Sequence, residues 1–294
     1  MPNKAITQQS IDVDGIIGEL FHPKKAGTFP AVICIGGSSG GVSTSAAPLL
    51  ARAGFAALSL GYFGAPGLPK EFVNLPLEYF QKATKWLLAQ PVVRGPKVGV
   101  TGTSRGSEAA LQLATLTPKI GAVVAYVPSN IRWMGVGGQP SWAQGGKPLP
   151  YMQWPNNFGD TDNAISKTNR FNQILDDPAM YAAAEIEVEK AKCPLLLISG
   201  KDDQLWPSER MATLITGRLS KNQYPYPYRH ISYPQAGHRI KVPGLDPDSY
   251  EPISKDTVTG ELLQLGGTYQ GNKAASEQSW HETVKFFKSA LDNN

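Results

Sequence analysis

Short, continuous apolar runs recur along this chain and alternate with stretches whose apolar positions fall three and four apart. The runs at residues 29–35, 55–60, 97–101, 121–127 and 194–200 have strand length and are mostly apolar on both faces, as expected of strands covered on both sides, and a further strand is expected around 229–233. Between them, helical spacing appears at Leu49, Leu50 and Ala53, at Leu77, Phe80, Ala83 and Leu87, over 177–189, over 208–219, and at Trp280, Val284, Phe287 and Leu291. Residues 5–22 differ: they alternate apolar and polar around Asp14-Gly15, which predicts a β-hairpin. Strands alternating with helices imply an α/β architecture, a mostly parallel sheet with helices on both faces. Two stretches break the pattern. Residues 128–175, holding Trp133, Trp142 and Trp154 among many Gly, Pro and Asn, and residues 241–270 show little periodicity. No linker or internal repeat divides the chain, so residues 1–294 read as one domain, with a hairpin in 1–29 and an irregular cap-like insertion at 128–175.

Composition narrows the function. The chain has 294 residues, 41% hydrophobic and 18% charged, with a net charge of +4 and no dense Lys/Arg run, which argues against a nucleic-acid partner. No window of about 18 apolar residues and no signal-like N-terminus occurs, so no membrane span is expected and the cytoplasm is the expected compartment. Cys34 and Cys193 sit in apolar strand-like runs and read as inert packing thiols. No paired His/Cys spacing predicts a metal, and no cofactor is expected.

The chemistry concentrates at Gly102-Thr103-Ser104-Arg105-Gly106. A Val/Gly strand leads in, and Glu108, Ala109, Ala110 and Leu111 begin a helix, the context required of a nucleophile elbow. Gly102 and Gly106 flank Ser104 because a Cβ at either place would collide with backbone in so sharp a turn. A serine hydroxyl needs a base, and the base an orienting acid, in the order Ser, Asp or Glu, His. Only His238 follows a strand after Ser104, in a Gly-His turn; His22 comes too early, His230 lies within a strand and His281 in the last helix. The acid is Asp203 or Asp202, just after the run 194–200. Spacing from Gly200 favours Asp203, with Asp202 left to cap the turn or the following helix. The N–H of Arg105 and one from Gly36-Gly37-Ser38-Ser39-Gly40-Gly41, Ser38 with Ser39 behind it, are the expected oxyanion donors. That glycine loop lacks the endings of phosphate-binding motifs.

With these residues placed, the chain resembles the α/β-hydrolase superfamily. More narrowly, it resembles the catalytic domain shared by acyl-CoA thioesterases and bile acid-CoA:amino acid N-acyltransferases. The resemblance runs from about Pro30 to about Leu291 and is carried by Gly67-Leu68-Pro69-Lys70, Pro76-Leu77-Glu78-Tyr79-Phe80, Gly146-Lys147-Pro148-Leu149-Pro150 and Ile198-Ser199-Gly200-Lys201-Asp202-Asp203-Gln204-Leu205-Trp206-Pro207-Ser208. It implies Ser104 as nucleophile, Asp203 as acid and His238 as base. Full-length animal members carry a β-rich domain ahead of the catalytic one, whereas the stretch before Pro30 here holds enough chain for a hairpin and not a sandwich. The transferase branch uses Cys where this chain has Ser104, so the resemblance implies hydrolysis.

The expected activity is therefore hydrolysis of an acyl thioester, acyl-CoA in particular, through an acyl-enzyme on Ser104. An esterase of the carboxylesterase or dienelactone-hydrolase type is the alternative, ahead of an acyltransferase or a noncatalytic binding protein. The tryptophans and prolines of 128–175 either cap an acyl pocket or pack a surface insertion.

Overall fold

The computed structural model describes residues 5–153, 164–255 and 262–291. Strands β1 (Ile6–Val13) and β2 (Ile16–Pro23) form the hairpin around Asp14 and Gly15, both at positive φ (52° and 74°), the backbone a tight two-residue hairpin turn needs. There follow β3 (Phe29–Ile35), α1 (Ala47–Ala53), β4 (Ala56–Leu60), α2 (Leu77–Leu88), β5 (Val93–Thr103), α3 (Arg105–Leu116) and β6 (Ile120–Tyr126). Then come α4 (Ala164–Asp176), β7 (Leu195–Gly200), α5 (Ser208–Lys221), β8 (Tyr228–Tyr233) and α6 (Tyr269–Leu291).

The eight strands form one sheet in the order β1-β2-β4-β3-β5-β6-β7-β8. Every pair from β4 to β8 is parallel, and β2 joins β4 antiparallel. Period-two alternation divides the core between the two faces. Ala31, Ile33 and Ile35 of β3 join a cluster with Phe80 and Leu87 of α2, Leu111 and Leu113 of α3, and Ile215 of α5. Val32 and Cys34 point the other way, onto Leu50 of α1 and Trp280, Val284 and Phe287 of α6. Each large aliphatic side chain or Phe buried in this way contributes about 1.5–3 kcal/mol, so these faces dominate what holds the sheet and helices together.

The irregular stretches need correction. The end of 128–175 lies in α4, thirteen residues long, where no helix was expected. Its sequence is mostly polar, so Phe171, Ile174 and Leu175 are the apolar residues known to pack, against Ile131, Trp133 and Trp206. The expected helix over 177–189 is instead one turn, Pro178–Tyr181, and separate 3₁₀ turns at Ala182–Ala184 and Val188–Lys190. Asp177 accepts the Ala179 N–H (3.0 Å), and Pro178 sits at the first helical position, so a helix starts here but does not continue. Trp133 and Trp142 are interior packing. Trp142 stacks among Tyr62, Phe72 and Phe80, and Trp133 lies edge-on to Phe171. Trp154 lies outside the described residues. Within 241–270, a 3₁₀ turn (Pro247–Tyr250) precedes a short antiparallel pair, Ile253–Lys255 with Leu262–Gln264.

Candidate active site

Strand β5 runs into α3 through Ser104, whose backbone is forced to φ 56°, ψ −121°, a conformation costly for a residue with a Cβ. The two glycines explain how the turn closes. A Cβ on Gly102 would lie 2.1 Å from the Gly106 carbonyl oxygen, and one on Gly106 would lie 2.3 Å from that of Gly36. The turn is pinned by the Ser104 N–H donating to the Tyr126 carbonyl (3.0 Å) and by the Ser107 hydroxyl donating to that of Ser104 (2.6 Å). Ser104 thus stands at the N-terminus of α3, where the N–H of Arg105, the first helical residue, has no intrahelical acceptor.

The loop after β3 runs beside this elbow. A Cβ on Gly37 would lie 3.3 Å from the Thr103 carbonyl oxygen and 3.6 Å from Ser104 Cβ, so the backbone approaches as closely as glycine allows. Tyr62 braces the loop by donating to the carbonyls of Gly36 and Gly37, both at 3.0 Å. Its role was not foreseen; an aromatic just past β4 gives no local signal of what it touches. Ser38 is the exposed residue that follows.

The other two predicted residues meet at the ends of β7 and β8. The Asp203 carboxylate and His238 Nδ1 lie 2.9 Å apart through Oδ2 and 3.2 Å through Oδ1. Oδ1 also accepts the N–H groups of Leu205 (3.1 Å) and Trp206 (3.3 Å), which fixes the carboxylate beneath the ring. Asp202, one residue earlier, is exposed. Trp206 meets the imidazole edge-on at 5.5 Å and donates through Nε1 to the Val127 carbonyl. The His238 backbone is held by its N–H donating to Leu265 (2.7 Å), and Asn272 of α6 clamps the same turn by accepting the Gly237 N–H (2.7 Å). His238 Nε2 is buried and has no hydrogen-bond partner, and no hydrogen bond joins it to the Ser104 hydroxyl in this structure.

Ser104 and His238 line one cavity of about 480 Å³, with Gly37 and Ser38 on its wall. Its remaining described walls come from residues 34–46, 101–103, 239–254 and 263–265, with Tyr126, Leu205 and Trp280; no described residue of 128–175 lines it. Among the described residues the roof is thus the second irregular stretch. Among the described residues no cluster suited to a metal ion occurs.

The Arg105 side chain turns away from the cavity. Buried, it pairs with Glu108, donates to the carbonyls of Trp133 (2.8 Å) and Met134 (3.2 Å) and to the Ser141 hydroxyl, and lies 4.6 Å over the Phe72 ring. Glu108 also accepts from Trp142 Nε1 (2.9 Å). Burial pushes the Glu108 carboxyl up to about 7, against the opposing pull of Arg105 and Trp142. This network ties the segment 133–142 to the helix that carries Ser104. Sequence pattern hid it because both residues read as ordinary first-turn helix positions.

Comparison with known proteins bears on what the geometry is for. Residues 75–293 match the family model described as BAAT / Acyl-CoA thioester hydrolase C terminal. The chain belongs to this family. Human mitochondrial acyl-coenzyme A thioesterase 2 is 31% identical over 297 residues, covering 97% of this chain and 57% of that protein. Mouse acyl-coenzyme A amino acid N-acyltransferase 1 is 30% identical, covering 97% of this chain and 66% of that one. The chain therefore spans less than two thirds of the length of these family relatives. The fold extends further: a dienelactone hydrolase-like promiscuous phosphotriesterase from metagenomic libraries superposes with a TM-score of 0.59 at 17% identity, covering 98% and 99% of the two chains. Among the described residues no helix is long and apolar enough to cross a membrane.

Proposed function

We propose that this chain is a serine hydrolase that cleaves acyl thioesters, acyl-CoA in particular, through an acyl-enzyme on Ser104. The observation that carries the reading is the pairing of a strained elbow serine with a histidine in one cavity. That histidine is anchored through Nδ1 to a buried carboxylate and leaves a buried Nε2 unpartnered. Family membership supplies the thioester.

The Ser104 hydroxyl attacks the thioester carbonyl carbon while His238 Nε2 takes its proton, and Asp203 holds the imidazolium in place. The N–H groups of Arg105 and Ser38 receive the oxyanion at the positive end of α3. Collapse of the tetrahedral intermediate breaks the C–S bond, and the thiolate leaves with the proton from His238. Water, deprotonated by the same nitrogen, then releases the carboxylic acid and restores the serine. Two buried, unpaired thiols fit a reducing compartment such as the cytoplasm.

Hydrolysis of oxygen esters is the second reading, favoured by the dienelactone hydrolase-like fold match. Acyl-CoA and p-nitrophenyl esters of matched chain length separate the two: a large preference in kcat/KM for the CoA substrates is expected, and its reversal assigns an esterase. The variant Ser104→Ala should lose about 10³-fold or more in kcat and all fluorophosphonate labelling. Unchanged turnover would remove Ser104 from the reaction.

A further inference from the structure

The turn that delivers His238 continues as Arg239-Ile240-Lys241. Alternation along this segment buries Ile240 in the core and sets Arg239 and Lys241 on the cavity wall. The backbone there is fixed: the His238 N–H donates to Leu265, the Lys241 N–H donates to the Ser276 hydroxyl (3.0 Å), and Tyr250 donates to the Val242 carbonyl (2.9 Å). Two cations are therefore held side by side, half-buried, in the chamber that contains Ser104.

Neither cation has a counter-ion among the described residues. Four other buried or partly buried arginines have acceptors: Arg105 pairs with Glu108, Arg218 with Glu185 and Glu189, Arg210 with Asp176, and Arg132 donates to the carbonyls of Pro150 and Ala183. Arg239 instead has a buried Nε without a hydrogen-bond partner. Among the described residues no Asp or Glu lines the cavity, whereas Ser43, Ser45, Ser249 and Ser254 do. Burial lowers the ammonium of Lys241 to about 8, with Arg239 adding like-charge repulsion. Holding two unpaired cations together is costly for the empty protein, and a bound anion relieves that cost.

We propose that Arg239 and Lys241 form an anion subsite in the cavity, which binds a carboxylate or phosphate carried by the substrate while its carbonyl lies at Ser104. The proposal rests on the hydrolase reading of Ser104 for its orientation. The anion has two sources, a second carboxylate at the far end of the acyl group or a phosphate of the CoA moiety.

Four thioesters distinguish them: butanoyl and glutaryl, each on CoA and on the uncharged carrier N-acetylcysteamine. Arg239→Gln and Lys241→Gln should each lower kcat/KM for the anionic thioesters, relative to butanoyl-N-acetylcysteamine, by about 10-fold or more, chiefly through KM. Arg239→Lys should retain most of that discrimination. A loss that follows glutaryl on both carriers assigns the acyl carboxylate; one that follows CoA with both acyl groups assigns the phosphates. Equal losses on all four, or none, overturn the subsite. Should the wild type turn over no thioester, the hydrolase reading falls alone, and titration of glutarate and pyrophosphate against tryptophan fluorescence still tests the anion site. Saturable binding weakened about 10-fold by Arg239→Gln supports it; no saturable binding of either anion overturns it.

Discussion

At the scale of single residues, neighbours in sequence have opposite fates. Asp203 is buried against His238, and Asp202 one position earlier is exposed. Asp203→Asn should lower kcat by about 10³- to 10⁴-fold while the chain stays folded, because an amide no longer fixes the imidazole tautomer. Asp202→Asn should stay within a few-fold of wild type in the same assay. Sequence spacing from Gly200 favoured this assignment, but it took the two N–H groups of Leu205 and Trp206, invisible in a one-dimensional pattern, to show how the carboxylate is aimed. Glu108 was not legible at all, since its burial depends on Trp142, 34 positions away. Because burial raises its folded-state pKa from 4.5 to about 7, the folded protein holds this proton more tightly than the unfolded chain. The stability this gives is fully present below about 4.5 and is lost as pH rises through about 7. Glu108→Gln removes the titration. The difference in Tm between wild type and this variant should therefore shift against the wild type as pH rises from 4.5 to 7, and a constant difference would refute it.

Elements position the candidate residues more than the residues position themselves. The ends of β5, β7 and β8 deliver Ser104, Asp203 and His238 to the carboxyl edge of a parallel sheet, where loops can gather without disturbing the ladder. The strands were legible because continuous apolar runs bounded by Gly and Pro leave few alternatives. Helix α4 was not, since a helix that packs against an insertion rather than the main sheet needs only a few apolar positions. Helix α6 does more than cover the sheet. From its first turns Asn272 accepts the Gly237 N–H and donates to the carbonyls of Tyr250 (2.9 Å) and Gly266 (3.3 Å), joining the histidine turn to the cavity roof. Asn272→Ala should reduce kcat by about 10- to 100-fold with KM little changed, since a small displacement of His238 costs more in chemistry than in binding. A fall in KM affinity with kcat intact would assign Asn272 to the roof alone.

Across the whole molecule, each side of the site is built by a different kind of sequence. The floor is the sheet edge, specified by strand periodicity, while the walls and roof come from stretches where periodicity fails. That division explains why the fold and the loops that carry Ser104, Asp203 and His238 were readable and the cavity's charge was not: Arg239 and Lys241 carry no pattern until Ile240 between them is seen to be buried. The roof is tied down at a few backbone points, at His238, Leu265 and Pro252, rather than woven into the eight strands. Substitutions along it can redraw which molecules are admitted without renegotiating the architecture beneath. A lineage built on this plan is free to change its diet while keeping its teeth.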